Sequence, residues 1–108
     1  MNQSSTFTQP PEFPAAGLPH HEHRVLLEHA ELEGRFTRLT SFRRPHNPSW
    51  EGLAFDEGAL MVRQHVGMRI YLDALTLRVA QIRRRHIESY GEGSWAKIQQ
   101  SLSGITAY

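Results

Sequence analysis

The chain is expected to be all-α: an antiparallel two-helix hairpin of residues 20–42 and 56–90, with a disordered N-terminal arm, a short C-terminal helix and an oligomeric state. Three observations predict the hairpin. Val25, Leu32, Phe36 and Leu39 fall at intervals of seven, four and three, which places them on one stripe of a helix. Met61, Met68, Leu75 and Ile82 repeat at seven, and His65, Leu72, Val79 and His86 follow each by four residues. Between the two patterns, Pro45, Asn47, Pro48 and Gly52 end one helix and turn the chain. Two such seams meeting antiparallel give a hairpin of coiled-coil kind.

Residues 1–18 carry Pro10, Pro11, Pro14 and Gly17 among Ser, Thr and Gln, with no helical period, and read as a disordered or loosely draped arm. Phe7 and Phe13 are either anchors on a neighbour or isolated apolar residues without a role. The hairpin domain then spans 19–90. Its first helix begins near Pro19 or His20, because proline is preorganised for a first turn. Leu26, Leu27 and Ala30 widen its apolar surface. Gly34 inside it costs roughly 1 kcal/mol relative to alanine, and is either a point of close approach or a tolerated defect. In the connection, Trp50, Leu53 and Phe55 are expected to fold back over the hairpin tip. Asp56 reads as the N-cap of the second helix, with Glu57 favourably placed for its dipole. Gly91 and Gly93 end that helix. In the tail, 91–108, Trp95, Ile98, Leu102 and Ile105 are spaced four, four and three, which predicts a short amphipathic helix from Ser94 to Leu102.

A hairpin within 108 residues buries little core, and small scaffolds without staples often supply the missing burial by oligomerising. There is no cysteine, so disulfides and thiol chemistry are excluded and a reducing cytoplasm suits the chain. No apolar run approaches the ~18–20 residues needed to span a bilayer, and no membrane partner is expected. Twelve Lys plus Arg against eleven Asp plus Glu leave a net charge of +1, too balanced for a protein that coats long nucleic acid. Lys97 is the only lysine, so the cations are nearly all planar guanidinium forks suited to phosphate and to flat rings. A GC-rich genome would give the same bias.

The run His20-His21-Glu22-His23 invites a metal reading, but it lacks the two histidines four apart with an adjacent glutamate that a zinc helix needs. No metal or other cofactor is expected. Neither a Gly-rich phosphate loop nor a nucleophile–base spacing is present, which argues against an enzyme. The arginines are the better signal. Arg35, Arg38, Arg43 and Arg44 have no acid between Glu33 and Glu51, and Arg78, Arg83, Arg84 and Arg85 have none between Asp73 and Glu88. Two local positive regions on a nearly neutral molecule suit a compact anion, while cations near helix C-termini also offset the dipole by about 0.3–1 kcal/mol each.

Pro19, His21, Arg24-Val25, Glu28, Leu32, Arg35, Arg38-Leu39 and Phe42, followed by Leu60, Gln64, Met68, Tyr71, Leu75 and Arg78-Val79, form a pattern across both helices. It resembles a small phage family related to a protein of crAss-like phages, some of whose members look like anti-CBASS sponges for cyclic oligonucleotides. An extra residue after Pro19 and the Pro45–Pro48 connection depart from that family, and both flanks are unmatched. The resemblance implies a phage protein acting in the host bacterial cytoplasm, a cyclic di- or trinucleotide ligand, and a homo-oligomer binding it between subunits. Carried over by position, the early histidine and the basic residue four turns later are His21 and Arg35, with Arg24 and Arg38 as the matched arginines beside them. An imidazole stacks on a base and an arginine forks onto a phosphate. The fourteen residues from His21 to Arg35 span ~21 Å of helix, so one compact ligand would meet the two from different subunits. Tyr71, beside Met68 and Leu75, is expected to pack in the seam. The alternative is a small helical structural or interaction protein whose seams recruit a partner.

Overall fold

The computed structural model describes residues 18–106. The N-terminal arm, with Phe7 and Phe13, therefore lies outside the described residues up to position 17. The described chain is helical throughout: α1 His20–Phe42, α2 Pro48–Glu51, α3 Phe55–Tyr90 and α4 Glu92–Thr106. No helix among these residues is long and apolar enough to cross a membrane.

Local chemistry sets the boundaries. Pro19 occupies the N-cap of α1, and its carbonyl accepts the amides of Glu22 and His23 at 3.0 Å each. In the connection, the Asn47 side chain accepts the Ser49 amide at 3.1 Å and Pro48 opens the single turn of α2. Asp56 is not the N-cap of α3: the helix begins one residue earlier, at Phe55, behind Ala54, with no side-chain cap. Asp56 instead sits in the first turn with Glu57, where both carboxylates favour the helix N-terminus. Gly91 ends α3 at φ 88°, a conformation that favours glycine, and α4 starts at the next residue.

Cross-helix contacts fix how α1 meets α3. Thr40 reaches His65, His29 reaches Thr76 and Glu22 reaches Arg85, so positions rising along α1 meet positions falling along α3. Leu75 and Ile82 of the α3 seam are buried, and Met68, Leu72 and Val79 pack against the core. On α1, Val25 and Leu32 are buried on the same cluster. A second α1 stripe, Leu26, Ala30 and Gly34, is buried too, and α4 packs on both α1 and α3.

α4 extends from Glu92 to Thr106, longer than the Ser94–Leu102 segment expected from spacing, and is part of the core. Trp95 and Ile98 are 4% and 1% exposed. Leu18, assigned above to the arm, is also buried in this cluster. The core thus gathers where α4 packs on α1 and α3. Toward the connection, Phe36, Leu39, Met61 and His65 remain partly exposed among the described residues. Trp50 and Leu53 are partly covered, but Phe55 is 92% exposed and does not cover the tip.

Candidate functional site

His21, Arg24, Glu28, Arg35, Arg38 and Phe42 are spaced three, four, seven, three and four residues apart, a single stripe of α1. Leu60, Gln64, Tyr71 and Arg78 make a corresponding stripe of α3. The fold joins them along one side of the molecule. At the centre the Tyr71 hydroxyl donates to the Glu28 carboxylate across the two helices. Tyr71 is 46% exposed, so it is a surface tie and not a packed member of the seam. Its phenol is pushed above the ordinary tyrosine range, first by the hydrogen bond to Glu28 and then by desolvation and the carboxylate's charge, with Arg78 opposing.

Between this tie and the connection, Arg35, Arg38, Leu39 and Phe42 of α1 face Met61, Gln64 and Met68 of α3 across an open groove of about 320 Å³. No carboxylate is among its described lining residues. Two guanidinium groups flank apolar walls, with one amide opposite, so the groove offers phosphate forks beside a surface for a flat ring. Its volume is at the bottom of the ~300–1,000 Å³ range of small-molecule sites, enough for part of a nucleotide ligand.

Directly behind this groove, His65 is held on three sides. Arg43 Nη1 donates to Nδ1 at 2.6 Å, which leaves the ring proton on Nε2, bound to Thr40 Oγ1 at 2.8 Å. The Thr40 hydroxyl in turn donates to the Phe36 carbonyl at 2.8 Å, and the Phe36 ring lies 4.7 Å from the imidazole. Burial, then the charges of Arg43 and Arg69, hold His65 below the ordinary imidazole value of 6.5. Arg43 in turn stacks over Trp50 at 5.2 Å, so this member of the Arg35–Arg44 group is committed to the framework.

A lowered folded-state value means that the unfolded chain takes up the proton first. The stability His65 contributes is thus present above pH ~6.5 and lost as pH falls through its folded value. Urea midpoints measured at about pH 7.5 and pH 5 should differ in wild type, and differ less in His65→Gln. The residual slope belongs in part to His23, which burial and the charge of His20 lower in the same direction. For Tyr71 the raised value works oppositely: its contribution is complete below the unfolded value and fades as pH rises through the folded one. Glu28→Gln should move the phenol back toward its ordinary value of 10.0, read by ultraviolet titration against Tyr71→Phe.

The other candidates lie beyond the Glu28–Tyr71 tie. His21 and Arg24 are exposed on the first turns of α1, and the antiparallel register sets Arg24 near the level of Arg78. The structure brings Arg35 and Arg38 together but does not bring His21 or Arg24 to them within one chain. The open-end arginines are partly neutralised: Arg85 pairs with Glu22, and the nearby pocket of about 300 Å³ is lined by Glu22 and Glu88 as well as Arg84 and Arg85. Among the described residues, no group of three or more His, Asp or Glu is placed to hold a metal ion. Sequence reasoning missed Met61 and Gln64 as groove walls. Gln64 carried a signal, being a polar residue at a patterned position that antiparallel pairing sets opposite Arg38.

Neither a curated protein nor a solved structure matches the chain. The model of the family described as Sequestin matches residues 19–81, from the proline before α1 through both stripes of the site face. The match covers more than half of the 108 residues, and the chain belongs to the Sequestin family.

Proposed function

We propose that this protein is a phage-encoded immune-evasion factor that binds a cyclic di- or trinucleotide second messenger and holds it uncleaved, in the manner of an anti-CBASS sponge. The observation that carries this is the Arg35–Arg38 groove, which pairs two phosphate-binding forks with apolar walls and includes no described acid in its lining. The family's name fits a sequestering protein. A sponge needs ground-state affinity only, and the groove contains two cations, an amide and thioethers but no general base among its described lining residues.

The α1–α3 hairpin presents the site face as a strip, and its groove is too small to enclose a cyclic oligonucleotide alone. Homo-oligomerisation completes the reading. Two such faces meeting antiparallel set His21 and Arg24 of one chain opposite Arg35 and Arg38 of the other, giving stacking and phosphate contacts from both sides of the ligand. The site of action is then the cytoplasm of the host bacterium.

Calorimetric titration of tag-free protein with cyclic di- and trinucleotides and cyclic ADP-ribose isomers tests this. Binding below micromolar Kd, with intact ligand released by heat, supports a sponge, and the panel member that binds names the signal. Recovery of a cleaved product would make the protein an enzyme. No heat from a well-folded oligomer would favour a structural or partner-binding role.

A further inference from the structure

The α3 seam that faces α1 leaves the opposite side of the helix uncovered by the other described residues. There Val66, Ile70 and Leu77 are 53%, 67% and 74% exposed. With Ala59, Arg63 and Asp73 they alternate four and three residues apart, the spacing of a second coiled-coil seam. Isolated exposed apolar residues need no explanation, but a row of them at seam spacing on a 36-residue helix does.

We propose that a second copy of this chain covers this face, the two α3 helices packing antiparallel about a twofold axis at the level of position 68. The argument is charge complementarity in register. Val66 and Ile70, Arg63 and Asp73, and Ala59 and Leu77 are each symmetric about position 68. An antiparallel pair centred there sets Val66 against Ile70 of the partner subunit, Ala59 against Leu77 of the partner subunit, and Arg63 against Asp73 of the partner subunit, twice over. A parallel pair would instead set Arg63 against its own kind and Asp73 likewise, with like charges opposed. The self-complementary arrangement is what an isologous twofold interface requires. Asp73 also lies 3.4 Å from Arg69 of its own chain, so the interface carboxylate is already oriented along this side of α3.

This inference does not rest on the ligand reading. A twofold axis perpendicular to α3 turns the Arg35–Arg38 grooves of both copies to the same side, and the pairing leaves them open.

Light scattering and sedimentation of the full-length, ligand-free protein test it. Wild type should run at twice the chain mass, and Ile70→Glu should run at the single-chain mass with unchanged helical circular dichroism, since Ile70 lies outside the core. Arg63→Asp and Asp73→Arg should each weaken association at least tenfold alone. Mixed in equal amounts they should dimerise again, because each mixed pair opposes Asp to Arg at both ends. The mixture also controls for loss of the Arg69 contact, which mixing does not restore. A wild type that stays at single-chain mass at hundreds of micromolar, an Ile70→Glu variant that remains dimeric, or a mixture that stays monomeric would each overturn the proposal.

Discussion

Trp95→Ala should destabilise the protein by about 3–5 kcal/mol, the usual range for emptying a buried tryptophan site. Against the ~5–15 kcal/mol that separates a small domain from its unfolded chain, that is a large share. Trp95 is 4% exposed and belongs to the same cluster as Val25, Leu26, Leu75, Ile82 and Ile98, so its removal opens a space bounded by three helices. His86 lies on the same cluster, its ring 6.0 Å from the indole and its Nε2 2.9 Å from Ser94 Oγ. Among the described residues the buried indole Nε1 has no hydrogen-bond partner. Trp95→Phe should therefore lose distinctly less than Trp95→Ala, because it deletes the unpaired donor while keeping most of the apolar volume. Urea unfolding followed by circular dichroism gives both values. A chain ending at Tyr90 should lose cooperative unfolding altogether. If Trp95→Ala melts within a degree or two of wild type, α4 is an appendage and the core assignment is wrong.

That α4 belongs to the core is where sequence reasoning stopped short. Seven-residue repeats reveal a seam, and Met68, Leu75, Ile82 and Val79 all take their places on it. The repeat does not say how many neighbours a helix has. Leu26, Ala30 and Gly34 are four residues apart on α1, away from its main stripe, and are buried all the same, on a helix that meets α4 as well as α3. Gly34 is buried, whereas Gly67 on α3 has open space around it. Tyr71 shows a different limit. Its position beside Met68 and Leu75 suggests packing, yet a helical residue one step off the seam meets its neighbour at the rim, where a hydroxyl reaches Glu28 and the ring stays wet. Asp56 failed as a cap for a local reason, since α3 starts one residue earlier than its apolar pattern. For the site, the arginines and their helical spacing were legible. The groove was not, because it depends on which side chains of α1 and α3 the cross-helix register sets opposite one another, a property of the whole fold.

Alanine at both Arg35 and Arg38 should abolish ligand capture while leaving the fold intact. Both side chains are exposed, and surface substitutions away from buried features usually move stability by no more than about 0.5 kcal/mol. Each charge-assisted hydrogen bond to a phosphate is worth about 1.5–3 kcal/mol, so each arginine should account for roughly 10- to 100-fold in Kd. The two share one groove and one anion, so their losses need not add. Lysine at either position should recover only part of the affinity, because an ammonium keeps the charge but cannot make the planar, two-pronged contact. Gln64→Leu keeps the groove's volume and removes its single amide, and should weaken binding less than either arginine change. His21→Ala separates two arrangements of the site. If affinity falls and the fitted stoichiometry drops below that of wild type, the ligand sits between faces of different chains. If His21→Ala binds as wild type while Arg35→Ala does not, the groove acts alone. Full affinity in a folded Arg35→Ala, Arg38→Ala double variant would remove the groove from the mechanism, and the cations near Arg24 and Arg78 at the other end of the same face would be the next place to look.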